Sequence, residues 1–91
     1  MAFAHIIVHG RVQGVGFRFS AQQLATEHNI KGWVKNNSDG SVEMEAEGDK
    51  QDLDAFVEDI QKGPSPYAKV DHIDITTENN EKGYKKFQIK E

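Results

Sequence analysis

Apolar and polar positions alternate along two stretches of the chain, as expected of β-strands. From Ala4 to Val8 apolar residues occur on both faces of the predicted strand, which is typical of a central strand with one face fully covered. From residue 42 to residue 47 the alternation is strict and predicts a strand whose other face is polar. The residues expected to face inward on this second strand are Val42, Met44 and Ala46.

Two other stretches repeat their apolar residues at helical spacing. The first begins at Phe17, places Ala21, Leu24 and Ala25 on one face, and is predicted to end at Asn29, a residue that tolerates left-handed backbone. The second follows Asp49, the expected N-cap, and ends at Gly63. Its predicted buried stripe consists of Leu53, Phe56, Val57 and Ile60.

The remaining segments predict three more strands. Residues 31–36 contain β-formers and run into a predicted hairpin turn at residues 37–40. The strand beginning at Val70 loses strict alternation before Ile73, so we expect a β-bulge near Asp71 and His72. A short last strand should bury Phe87 and Ile89.

Strand, helix, strand, strand, helix and strand follow one another, with a short extra strand at the end. Two split βαβ units in this order predict an α+β fold, a ferredoxin-like sandwich with an antiparallel sheet and two helices on one face. At 91 residues the chain has room for one hydrophobic core, so we expect residues 1–91 to form a single domain.

The polar face of the second alternating strand carries three acids, Glu43, Glu45 and Glu47. Side chains on one strand face stand about 7 Å apart, so we expect a solvated face rather than a cation site. His5 and His9 are similarly too far apart to share a metal, and we expect both to be partly exposed.

Composition narrows the classes of partner. The net charge of −4 disfavours nucleic acid, and the absence of cysteine excludes thiol nucleophiles and cysteine-ligated metals. The N-terminus lacks the features of a signal peptide, and no apolar run approaches the roughly 20 residues of a membrane span. We therefore expect a cytoplasmic monomer that binds neither membrane nor nucleic acid and needs no metal or other cofactor.

A glycine-rich turn joins the first strand to the first helix. Gly14 and Gly16 permit unusual backbone conformations, and the helix that follows begins with unpaired amides, a ready anion site. Arg18 lies in a first turn that has no carboxylate, on the unfavourable side of the helix dipole, and a bound anion would offset that cost. A plain connecting turn with a solvated arginine is equally consistent with the spacing alone.

The segment Gly10–Arg18, followed by Gly32–Glu43, closely resembles the acylphosphatase family, and Gly63–Val70 is similar to that family's later pattern. The resemblance covers essentially the whole chain. It implies the ferredoxin-like fold and hydrolysis of acyl phosphates to a carboxylate and inorganic phosphate. It also implies that Arg18 binds the phosphate and that Asn36 orients the attacking water. The substrate-binding main chain would be that of Gly14, Val15, Gly16 and Phe17.

The residues agree with this chemistry, because a carboxylate leaves without being protonated and no acid is required. Two other functions are the alternatives. A non-catalytic module that binds phosphate or carbamoyl phosphate for regulation could use the same loop, but it would not need Asn36. A single-strand RNA binder would need exposed strand aromatics and a basic surface, which the sequence does not offer.

Overall fold

The computed structural model describes all of residues 1–91. Five strands and two helices follow the predicted order. The strands are β1 (Ala2–Arg11), β2 (Lys31–Asn36), β3 (Val42–Gly48), β4 (Lys69–Glu78) and β5 (Phe87–Lys90). The helices are α1 (Phe17–Glu27) and α2 (Lys50–Lys62). The predicted α+β sandwich is confirmed.

The strands form one sheet in the order β4-β1-β3-β2-β5. The pairs β1/β3, β1/β4 and β2/β3 are antiparallel, as predicted for the sheet as a whole. The short β5 departs from that prediction because it pairs parallel with β2 and makes the sheet mixed. This pairing brings the last strand beside Lys35 and Asn36, at the end of β2 where the turn to β3 begins.

One hydrophobic core lies between the sheet and the helices. Alternate residues of β1 and β3 pack against the apolar faces of α1 and α2, and Phe17, Phe56 and Ile60 are among the most buried side chains. The inward-facing residues predicted on β3 are fully buried. Asn29 adopts the left-handed conformation (φ 58°) expected after α1, so the predicted end of that helix is also confirmed.

The predicted irregularity in the fourth strand is present at Asp71. His9 pairs with His72, whereas the next residue, Gly10, pairs with Val70, so Asp71 is the extra residue of a β-bulge. A Cβ on Gly10 would lie 2.2 Å from the carbonyl oxygen of Lys69. The bulge therefore requires glycine on the opposing strand.

The acidic face of β3 is only partly solvated, and the expectation for two of its acids was wrong. Glu47 is 3% exposed, and its carboxylate accepts the main-chain N–H groups of Lys82 and Gly83 at 3.1 Å each. Glu45 is covered as well and accepts hydrogen bonds from Tyr84, Trp33 and Lys82. The segment before β5 folds back over this face, so the acids acquire protein partners in place of water.

One smaller expectation needs correction. Ile89 was predicted to be a core residue but is 39% exposed. It lies near the end of the edge strand and lines a cavity. Asp49 is the N-cap of α2, as predicted, although its side chain makes no capping hydrogen bond.

None of the helices has both the length and the apolar character required to cross a membrane.

Candidate active site

The glycine-rich turn after β1 has the backbone conformation of an anion-binding loop. Gly14 (φ 73°) and Gly16 (φ 77°) are both left-handed, and Gly16 is the N-cap of α1. A Cβ at either position would meet no atom within 4 Å, so the dihedral angle rather than crowding favours glycine. A left-handed residue leading into a helix gathers successive N–H groups into a concave array.

Those N–H groups have no partner in the protein. The first hydrogen bond of α1 runs from the N–H of Ser20 to the carbonyl of Gly16 at 3.1 Å, and the N–H groups of residues 14–19 donate to no protein group. We call residues 14–19 the amide cradle. Helix N-termini generally leave such donors to side-chain caps, water or ligands, and no side chain caps this one.

Arg18 stands in the first turn of α1, half-buried and unopposed by any acid. Its Nη1 donates to the carbonyl oxygen of Lys90 in β5 at 3.3 Å, and no carboxylate lies within ion-pairing distance. The first turn of α1 contains no acidic residue, as the sequence indicated. The guanidinium is thus held by a neutral acceptor while its positive charge remains available to an external anion.

Asn36 ends β2 on the sheet face that also carries Val34. Its Oδ1 is buried and has no hydrogen-bond partner, and it is the only buried side-chain polar atom of the chain in that condition. Buried polar atoms without a partner are rare and call for an explanation. An acceptor oxygen of this kind is suited to a water molecule, which can donate a hydrogen bond to it.

These groups line one cavity of about 210 Å³. Its walls contain two polar side chains, those of Arg18 and Asn36. The other lining residues are Val12, Gly14, Gly16, Phe17, Phe19 and Ile89. Of the residues expected at the site, only Val15 does not line this cavity; its side chain packs against the core.

Two residues that sequence reasoning missed hold the loop in place. Gln13 Nε2 donates to the carbonyl oxygens of Asn37 (2.7 Å) and Ser41 (2.8 Å), which ties the loop to the β2–β3 turn beside Asn36. Ser65, 5% exposed, donates from Oγ to the carbonyl oxygen of Val15 at 2.5 Å. Because C=O and N–H point to opposite sides of a trans peptide, this bond turns the next N–H, that of Gly16, away from Ser65.

Apart from Arg18, the ionisable side chains of the protein lie outside this cavity. All four histidines pair with carboxylates outside the cavity, His5 with Glu43 and His28 with Asp59, for example. Hydrogen bonding by His72 holds the pKa of Asp74 below its ordinary value. None of the residues with a shifted pKa lines the cavity. Arg18 is the only charged residue among those that do.

Fold and cavity together define a ferredoxin-like α+β protein with a glycine-rich loop of unpaired N–H groups at the start of its first helix. Residues 4–89 match the family model described as Acylphosphatase. The acylphosphatase of Oceanobacillus iheyensis is 42% identical over 90 residues, which is 99% of this chain and 99% of that protein. This chain therefore belongs to the acylphosphatase family.

Solved structures agree. The crystal structure of acylphosphatase from Bacillus subtilis has a TM-score of 0.96 with this chain at 45% identity, covering 100% of both chains. The structure of HypF from T. kodakarensis has a TM-score of 0.86 at 38% identity, covering 100% of this chain but 12% of that one. The same fold therefore occurs also as a small part of a longer chain.

Proposed function

We propose that this protein hydrolyses acyl phosphates to a carboxylate and inorganic phosphate, with the amide cradle and Arg18 binding the phosphoryl group and Asn36 orienting the water. Family membership supports the reaction. The observation that carries the assignment of residues is the meeting, in one cavity, of unpaired donors, an unpaired cation and an unpaired acceptor.

Binding of the phosphoryl group uses two kinds of donor. The cradle offers main-chain N–H groups at the positive end of the α1 dipole, and Arg18 adds a planar fork suited to two phosphate oxygens. The chain's net charge of −4 repels an anionic substrate at long range, but salt screens that repulsion beyond about 8 Å. Local donors therefore determine whether the anion binds.

Attack requires a water molecule in line with the bond that breaks. When a water molecule donates a hydrogen bond to Oδ1 of Asn36, the lone pairs of the water oxygen are left free to face the phosphorus. Gln13 fixes the turn that follows Asn36 to the loop that holds the phosphoryl group. Nucleophile and electrophile are thus positioned by two backbone segments that the Gln13 side chain joins, and such positioning is the main contribution a protein makes to phosphoryl transfer.

Departure of the carboxylate needs no proton, because the pKa of a carboxylic acid is near 4. An alkyl phosphate would instead expel an alkoxide, which normally requires a general acid or a metal. The only ionisable side chain lining the cavity is Arg18, which does not give up its proton. The site is therefore selective for substrates with a good leaving group.

A rate series across leaving groups tests this proposal. Purified protein is assayed at fixed pH, with a chelator present, on benzoyl phosphate, acetyl phosphate, an activated aryl phosphate and an alkyl monoester. We expect good activity on both acyl phosphates, weak activity on the aryl ester, none on the alkyl ester, and no effect of the chelator. Comparable rates on the alkyl monoester and benzoyl phosphate would require an acid or metal outside this mechanism.

We also propose that residues 1–91 act as a single-domain, cytoplasmic monomer without metal or cofactor. The single hydrophobic core supports this organisation. Sedimentation equilibrium should give a mass near 10.2 kDa across concentrations, and a concentration-dependent increase would contradict it.

A further inference from the structure

Two of the chain's exposed large hydrophobic side chains converge on the active-site cavity. Phe19 is 58% exposed and Ile89 is 39% exposed, and both line this cavity. Isolated apolar residues on a surface need no explanation. Two of them that line the same cavity as Arg18 and Asn36 suggest that they contact the ligand.

The fold places both side chains next to the catalytic groups. Phe19 follows Arg18 in the first turn of α1. Ile89 pairs with Val34 in the parallel β5/β2 ladder, and Asn36 lies two residues further along the same face of β2. The two apolar side chains therefore line the same cavity wall as Arg18 and Asn36.

We propose that Phe19 and Ile89 form an acyl subsite, which binds the apolar acyl group of the substrate while the phosphoryl group occupies the amide cradle. This inference rests on the function proposed above. It names the substrate class as acyl phosphates with an aromatic ring or a short alkyl chain.

Elimination within the cavity wall supports that class. The two polar side chains, Arg18 and Asn36, both serve the phosphoryl half of the reaction, so the acyl half meets only apolar side chains and glycine. A charged or strongly polar acyl group would lose its hydration there without gaining a partner.

The expected effect follows from the area of contact. Each methylene of a substrate that is removed from water contributes a factor of about four in affinity. Contact between two aromatic rings adds a factor of about two to ten. Values of kcat/KM for different acyl groups should therefore differ by about an order of magnitude. The difference should lie mainly in KM, because the contact is the same in the ground state and the transition state.

Steady-state kinetics with acetyl, butyryl and benzoyl phosphate tests the acyl subsite. The proteins compared are the wild type, Phe19→Ala, Ile89→Ala and the control Ile75→Ala, whose side chain is 37% exposed but lines a different cavity. In Phe19→Ala, kcat/KM for benzoyl phosphate should fall about tenfold and that for acetyl phosphate by a smaller factor. Ile89→Ala should similarly lose more with butyryl than with acetyl phosphate, and Ile75→Ala should match the wild type.

The benzoyl-to-acetyl ratio of kcat/KM in Phe19→Ala and the butyryl-to-acetyl ratio in Ile89→Ala are each divided by the wild-type ratio, so that the intrinsic reactivity of the compounds cancels. If both ratios matched those of the wild type, the acyl subsite would be overturned while the proposed function stayed intact. A wild-type protein that hydrolyses none of the three compounds would instead overturn the proposed function, and this inference with it.

Discussion

Two regions of this molecule gather main-chain N–H groups that suit an anion, and they differ in whether the chain itself supplies one. In the first, which we call the carboxylate nest, the N–H groups of Lys82 and Gly83 bind the buried carboxylate of Glu47 at 3.1 Å each. In the second, the amide cradle, the N–H groups of residues 14–19 bind no protein group. The nest is complete within the chain, whereas the cradle has no acceptor within it.

The same difference extends to the neighbouring side chains. Beside the nest, Glu45 is saturated by Tyr84, Trp33 and Lys82. Beside the cradle, Arg18 has no acidic partner and Asn36 has a buried oxygen with none at all. Asn36 Oδ1 is the one buried side-chain polar atom without a partner. A buried atom of this kind calls for an explanation, and a bound ligand or water would supply it.

The largest expected effect comes from removing the unpaired cation of the cradle. Arg18→Ala should lower turnover of benzoyl phosphate by about 10³-fold or more and abolish competitive inhibition by inorganic phosphate. Arg18→Lys should also perform poorly, because an ammonium group cannot make the paired contacts of a guanidinium. Arg11→Ala removes an exposed arginine at the end of β1, just before the loop, and is the control. Near-native phosphate inhibition in Arg18→Ala would rule out this role.

Asn36→Ala should separate binding from chemistry. We expect kcat to fall by about 10²–10³-fold, the loss typical of one preorganised polar group, with the phosphate dissociation constant unchanged within a few-fold. Asn37→Ala, in the adjacent turn, is a comparison that leaves Asn36 in place. If Asn36→Ala weakened phosphate binding as strongly as turnover, Asn36 would be a binding residue instead.

Glu47→Ala should affect stability rather than activity. Removing the carboxylate leaves the N–H groups of Lys82 and Gly83 without their acceptor, and we expect a loss of about 1–2 kcal/mol in the free energy of unfolding. Chemical denaturation measures it, with the exposed Glu78→Ala as control. A loss of phosphate binding in folded Glu47→Ala would show that nest and cradle are not independent.

A smaller effect should appear in acid at Glu45. Burial acts to raise the pKa of this carboxyl, but hydrogen bonds from Tyr84 and Lys82 outweigh it and hold the pKa below the ordinary 4.5. Its contribution to stability is therefore complete above about pH 4.5 and is lost as the pH falls towards the folded-state pKa. Glu45→Gln should flatten part of the decline in Tm between about pH 5 and pH 3, and an unchanged slope would contradict this.

Features that depend only on neighbouring residues could be predicted from the sequence. The alternation of β3, the faces of both helices, the bulge at Asp71 and the acid-free turn around Arg18 follow from neighbouring residues. Asn36 was different, because an asparagine before a turn usually only shapes it, and the resemblance to a family was what indicated its role. Its unpaired oxygen now gives an independent physical reason.

The features that sequence reasoning missed depend on contacts between distant parts of the chain. Alternation correctly placed Glu47 on the face away from the helices, but nothing near it predicts that residues 82 and 83 return to cover it. Ser65 and Gln13 reach their acceptors across long separations as well. Ile89 has the expected face but lies at a strand end that the core does not cover.

The central claim is that the amide cradle, and not the carboxylate nest, binds an external anion. The most direct test is a titration of ¹⁵N-labelled protein with inorganic phosphate, followed through the backbone amide resonances. Saturable shifts should appear for the amides of residues 14–19, and those of Lys82 and Gly83 should remain unchanged because Glu47 already occupies them. Repeating the titration with Arg18→Ala should remove the shifts at low phosphate concentration. Shifts of similar size at both regions, or none at residues 14–19, would contradict the account.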